Sequence, residues 1–187
     1  MKTKIIVSIL VLQYLSQGEN FSHKNSFLIE LKSVDVATSN ADLLNFIDFS
    51  VDRVERGIYG MSGKMILNFD VVEGDSSEME IKVFYSSNGK SNYRLTPVHL
   101  NRQHLFNLLN TIYKDGVMEN LKDCSNFPQF KDKFDPPLVR GTYYMDRCQL
   151  GDDGFPNHAK EGFYKIALTG YGVVDWKMDI VFKLEID

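Results

Sequence analysis

Histidine, cysteine and tryptophan are scarce in this 187-residue chain, which holds four His, two Cys and one Trp. His23, His99, His104 and His158 fall into no metal-ligand spacing, and neither Cys124 nor Cys148 has a His or second Cys beside it, so the sequence offers no metal centre. His99 and His104, five apart across a predicted strand-to-helix boundary, share no fixed geometry. A phosphate-cradling glycine loop and a dinucleotide fingerprint are both missing. Gly60-Met61-Ser62-Gly63 has the wrong order for a nucleophile elbow. Asp152-Asp153, between Gly151 and Gly154, marks a turn more readily than a calcium loop. The expectation is therefore a protein that is not an enzyme and that carries no cofactor.

Long apolar runs are also missing, with one short exception at the start. Lys2 and Lys4 precede an apolar stretch from Ile5 to Leu15, and Ser16-Gln17-Gly18 places small residues before a cut ahead of Glu19. That layout predicts a secretory signal peptide over residues 1–18, since about 20 apolar residues are needed to span a bilayer. The expected product, 19–187, is a single soluble, secreted domain with no stable membrane insertion, taken as a monomer. The glycosylation pattern Asn20-Phe21-Ser22 would then lie at the extreme end of the mature chain. Losing Lys2 and Lys4 leaves 19 basic against 25 acidic residues. An acidic surface without Lys/Arg clusters argues against nucleic acid and anionic membranes as partners.

In an oxidising compartment an isolated cysteine pair predicts a Cys124–Cys148 disulfide. Closing that loop would stabilise the fold by about 3.5 kcal/mol on the chain-entropy model.

What the chain does have is alternation. Phe27, Ile29 and Leu31 share one face of a strand; Ile47, Phe49 and Val51 share another. Met65, Leu67, Phe69 and Val71 oppose Lys64, Ile66, Asn68 and Asp70, and Met79, Ile81, Val83 and Tyr85 oppose Glu80, Lys82 and Phe84. Tyr93-Arg94-Leu95 is a shorter candidate, and Tyr164, Ile166 and Leu168 precede the clearest strand. There every even position from Trp176 to Ile186 is apolar and the odd ones are mostly charged. Such a period of two gives each strand a buried face and a wet one. With turn signals at Glu73-Gly74-Asp75, Ser86-Ser87-Asn88-Gly89 and Thr169-Gly170-Tyr171-Gly172, the pattern predicts a mainly β antiparallel sandwich or open cup.

One segment departs from this period. Leu105, Leu108, Leu109, Ile112 and Tyr113 recur at helical spacing, predicting one inserted amphipathic helix of about four turns, with Asn101 capping its start and Gly116 its end. It either packs on the sheet as core or lies over the mouth of a cavity.

Thirteen Phe and seven Met give an apolar surplus that suits either a filled core or a sandwich held open for an acyl chain or hydrocarbon. If the sandwich is open, the candidate lining is Met65, Leu67 and Phe69, with Ile81 and Val83 beside them. Leu105 and Leu109 come from the helix, and Tyr164, Trp176, Met178 and Ile180 from the final strands.

Pro136-Pro137-Leu138-Val139-Arg140-Gly141-Thr142-Tyr143, Phe155-Pro156, Glu161-Gly162-Phe163-Tyr164-Lys165-Ile166 and the final strand resemble the end of the ganglioside activator protein. The same blocks are similar to the insect CheA/CheB chemosensory proteins, as is Met79 to Ser87 ahead of Tyr93-Arg94-Leu95-Thr96-Pro97. The resemblance covers about residues 60–187 and implies an ML-type lipid-recognition cup. It also implies release near sensory neurons, where such a protein assists detection of hydrophobic pheromones, with a sensory receptor or channel as partner. Two departures stand out: prolines occupy the block where the activator has a cysteine, and this chain can form one disulfide where the activator has several. A looser cup with a different ligand follows. Two functions remain open: a non-enzymatic carrier of apolar small molecules, and a secreted protein-binding module with a filled core acting on a receptor or channel. Cavity volume separates them.

Overall fold

In the computed structural model, residues 5–6, 27–151 and 159–186 are described. The predicted cleavage site before Glu19, Asn20, His23, the Asp152-Asp153 turn, Phe155-Pro156 and His158 lie outside them. So does the predicted signal segment 1–18 except for Ile5–Ile6 (β1), which forms a two-residue parallel ladder with Leu150–Gly151 (β8).

Two antiparallel sheets carry the fold. The larger is built from β2 (Phe27–Thr38), β5 (Glu78–Ser86), β6 (Arg94–His104), β9 (Gly162–Tyr171) and β10 (Trp176–Ile186), in the order β2-β10-β9-β5-β6. The smaller is β3 (Leu44–Glu55), β4 (Ile58–Leu67) and β7 (Gly141–Cys148), in that order. The predicted antiparallel β-sandwich is what the chain forms. Pro97 fits because β6 is an edge strand, where a missing N–H breaks no ladder.

The clearest pattern, in β10, behaves as its period dictates. Met178, Ile180, Phe182 and Leu184 are buried, Trp176 is half-buried, and of the apolar even positions only Ile186, at the strand end, is exposed. Phe182 and Leu184 have no accessible surface at all. Tyr164, opposite Phe182 on β9, stacks on its ring at 5.5 Å, so this end of the sandwich is solidly filled.

Other strands run longer than their patterns suggested because bulges switch the inward parity. In β2 the register slips opposite Val181/Phe182, so the inner face passes from Phe27 and Leu31 to Val34 and Val36. In β3, Asp48 adopts φ +53° and the register slips between Ile47 and Ser50. This corrects the grouping of Ile47 with Phe49 and Val51. Ile47 pairs with exposed Lys64, whereas Phe46, opposite Met65, joins Phe49 and Val51 in the core. One extra residue per strand moves every later side chain to the other face.

The helical expectation also needs correcting at both ends. Asn101 is no cap: residues 94–104 continue as β6, with Gln103 opposite Met79 and His104 opposite Glu78. His104 caps instead. Its Nδ1 accepts from the Phe106 N–H at 3.3 Å and its Nε2 donates to the Asp75 carbonyl at 2.8 Å. Nor does Gly116 end the helix. A turn of α-helix (Leu105–Leu108) passes into a π-helical stretch (Leu109–Val117), where the Met118 N–H bonds back to the Tyr113 carbonyl, and then into a second α-turn (Met118–Leu121).

Cys124, just past this segment, is bonded to Cys148 at the end of β7, with Cα atoms 5.4 Å apart. The predicted disulfide therefore ties the exit of the helical segment to the smaller sheet.

Candidate functional site

Between the sheets and beneath the helical segment lies a cavity of about 380 Å³ that opens to the surface. Protein interiors seldom leave voids larger than a water molecule. A void this size falls in the range of small-molecule sites.

Its walls follow from the strand periods. From the larger sheet come Met79 and Ile81, Ile166 and Leu168, and then Trp176, Met178 and Ile180. From the smaller sheet come Leu44 and Phe46, Met61, Met65 and Leu67, and Tyr143 and Met145. The helical segment supplies the roof: Leu105, Leu108, Leu109, Ile112 and Tyr113, continued by Gly116, Val117 and Leu121, all face the space. The apolar stripe is thus aimed at a void rather than at a packed sheet.

The roof is held in place by polar ties and stacked rings. The Leu105 N–H donates to the Ser77 carbonyl at 2.9 Å. Asn110 accepts from the Phe134 N–H at 2.6 Å, and the Tyr113 hydroxyl donates to the Pro128 carbonyl at 2.7 Å. Phe106 stacks on Phe134, Phe134 meets Phe130 edge-on, and Phe130 stacks on Tyr113. The segment after the disulfide is in turn fastened to β7 by Asn126, which accepts from the Tyr144 N–H and donates to the Thr142 carbonyl.

The wall is almost wholly apolar. Five of the chain's seven methionines, Met61, Met65, Met79, Met145 and Met178, border the cavity. Unbranched, polarizable side chains let such a wall adapt to ligands of differing shape. The charged residue among the described lining is Glu78, whose Oε2 accepts from Arg102 Nε at 2.5 Å. Three tyrosines contribute rings while their hydroxyls are committed elsewhere: Tyr113 to Pro128, Tyr143 to the Val139 carbonyl and Tyr171 to Glu80 at 2.9 Å. Burial pushes the Tyr113 phenol far above its usual range. Burial also raises Tyr143, helped by the negative charge of Asp70, and the bond to Glu80 raises Tyr171.

Of the candidate lining residues, Met65, Leu67, Phe69, Ile81, Leu105, Leu109, Trp176, Met178 and Ile180 stand on the cavity wall. Phe69 does so from just beyond β4, beside Val71, whose backbone bridges to Leu138. Val83 and Tyr164 do not border the cavity: Tyr164 stacks on Phe182 at the filled end, and Val83 is buried opposite Ile166. Sequence reasoning missed Phe46, hidden by the bulge at Asp48, and Met145, in a strand without clear alternation. Met61 was signalled by its even spacing from Met65 and Leu67, which puts all three on one face of β4. Ser77 was masked by a polar loop. Among the described residues no group of three or more His, Cys, Asp or Glu side chains is placed to hold a metal, and no helix is long and apolar enough to cross a membrane.

Fold and site together define an antiparallel β-sandwich with an apolar, helix-roofed cavity and one disulfide. Residues 79–166 match the family model described as "Protein of unknown function (DUF1091)", a span from β5 through the roof and the disulfide into β9. No curated protein matches the chain.

Proposed function

We propose that this protein is a secreted, non-enzymatic binding protein for apolar small molecules of the lipid or cuticular-hydrocarbon type, and that it serves chemosensory detection of pheromone-like ligands. The observation that carries the reading is the 380 Å³ cavity lined by apolar and methionine side chains. A dry cavity of about 150 Å³ takes one benzene, so this space suits about 15 non-hydrogen atoms. Burying about 350 Å² of such a chain returns about 9 kcal/mol, and after an association cost of at least about 4 kcal/mol this leaves sub-millimolar binding. The CheA/CheB-like blocks, most of which fall within the matched residues 79–166, support the chemosensory setting and a sensory receptor or channel as downstream partner.

The test is binding of the neutral dye N-phenyl-1-naphthylamine and its displacement by long-chain ligands, in wild type and in a Phe69→Asp variant shown to be folded. Saturable binding that the variant loses supports the carrier. If wild type takes up no apolar probe, or the variant binds equally well, the protein-binding module is the better account.

A further inference from the structure

The cavity has a polar end. Ser77 borders it, is only 9% exposed, and its hydroxyl makes no hydrogen bond among the described residues. No described side-chain N or O atom is both sealed off and without a partner, so the Ser77 Oγ is reachable from open space. Its backbone is fixed, because the Ser77 carbonyl receives the first N–H of the roof. Close by lies Gly172, where an added Cβ would stand 3.3 Å from the Oγ. The Trp176 indole N–H is likewise uncommitted among the described residues, and its Nε1 rests over Gly170, where a Cβ would come within 2.0 Å. Both groups therefore sit at the β9–β10 hairpin. Every other hydroxyl on the described wall is already engaged.

Building on the carrier reading, we infer that this hairpin end is a polar subsite that takes an uncharged oxygen function, such as a hydroxyl, aldehyde or ester, at one end of the ligand. A serine hydroxyl both donates and accepts, and an indole N–H donates, so together they suit a carbonyl or alcohol oxygen. A fully apolar chain would leave them buried and unpaired, which is unfavourable. A carboxylate fits poorly. No Lys, Arg or His borders the cavity among the described residues, so a carboxylate buried there would have no cationic partner. The subsite thus selects neutral oxygenated chains over both hydrocarbons and fatty acids.

The experiment is displacement of N-phenyl-1-naphthylamine by dodecane, 1-dodecanol, dodecanal and dodecanoate at neutral pH, for wild type, Ser77→Ala and Trp176→Phe. Ser77→Ala deletes one unpartnered hydroxyl, and melting temperatures check that both variants are folded. The expected result is that Ser77→Ala weakens 1-dodecanol and dodecanal by about five-fold while dodecane changes by less than about two-fold. Trp176→Phe should weaken dodecanal more than dodecane, and dodecanoate should bind wild type at least about ten-fold more weakly than 1-dodecanol. Equal effects of both variants on dodecane and the oxygenated ligands, or dodecanoate as the tightest ligand, overturn the inference and leave the carrier standing. Absence of any binding, dye included, overturns both.

Discussion

The Tyr113 hydroxyl donates to the Pro128 carbonyl at 2.7 Å, joining the middle of the cavity roof to the segment that the Cys124–Cys148 bridge anchors. The roof is therefore not a free-standing helix. Its position over the cavity depends on a tether that runs through the disulfide to β7.

Replacing both cysteines with Ala should accordingly act on stability and on ligand retention together. The expected loss is about 3 kcal/mol, equivalent to about 6–12 °C in Tm for a domain of this size. The sheets should persist, because their ladders do not involve the bridge, while ligand dissociation should quicken as the roof loosens. Thermal melts and stopped-flow dye release check the two effects. Unchanged release in a variant of lowered Tm would separate the roof from the bridge.

Cavity and core should respond in opposite ways to volume. Leu109→Trp places a larger side chain into open space, so the expected outcome is loss of ligand binding with Tm preserved or raised. Phe182→Ala empties a site with no accessible surface and should cost about 3–5 kcal/mol. A Leu109→Trp variant as unstable as Phe182→Ala would mean that the space beneath the roof is filled.

Ligand length should show a ceiling. Affinity should rise with each methylene up to about 15 non-hydrogen atoms and then level off, with little dependence on salt, because no charge pairing drives it. Competition with a homologous alcohol series checks this. A strong salt dependence would point to a charged ligand.

Binding of neutral ligands should be flat with pH across about 6–9. The cavity tyrosines hold their protons more tightly than free tyrosine: Tyr113 and Tyr143 through burial, Tyr171 through its bond to Glu80. The shift is upward, so the neutral phenol present at low pH persists above the ordinary tyrosine value near 10. A titration of affinity against pH with a midpoint inside that window would contradict the assignment.

Much of this was legible in the sequence where one physical rule acted alone. The β10 alternation fixed which of its side chains face inward, and the stripe from Leu105 to Tyr113 marked a one-sided helix. Legibility failed where backbone geometry intervened. Asp48 at φ +53° reversed the faces of β3 and exchanged Ile47 for Phe46. At residues 101–104 strand pairing with β5 prevailed over a capping signal, because Asn101 to His104 gain more from an existing ladder than from starting a helix. The cavity itself could not be read from sequence. The same Met and Phe residues specify a filled core at the Phe182 end and an open one beneath Leu109, and only the spacing of sheets and roof decides between them. Ser77 was invisible for a simpler reason: in a run of Ser, Glu, Gly and Asp it looks like an ordinary loop residue.

Trp176 is the only tryptophan in the chain and stands on the cavity wall, so its emission tests the central claim most directly. Titrating the protein with 1-dodecanol, or with a long-chain ester, should shift and saturate that emission at one ligand per protein, and Phe69→Asp should abolish the change. An emission spectrum that stays constant through the titration, in wild-type protein shown to be folded, would contradict the account of an open, ligand-binding cavity.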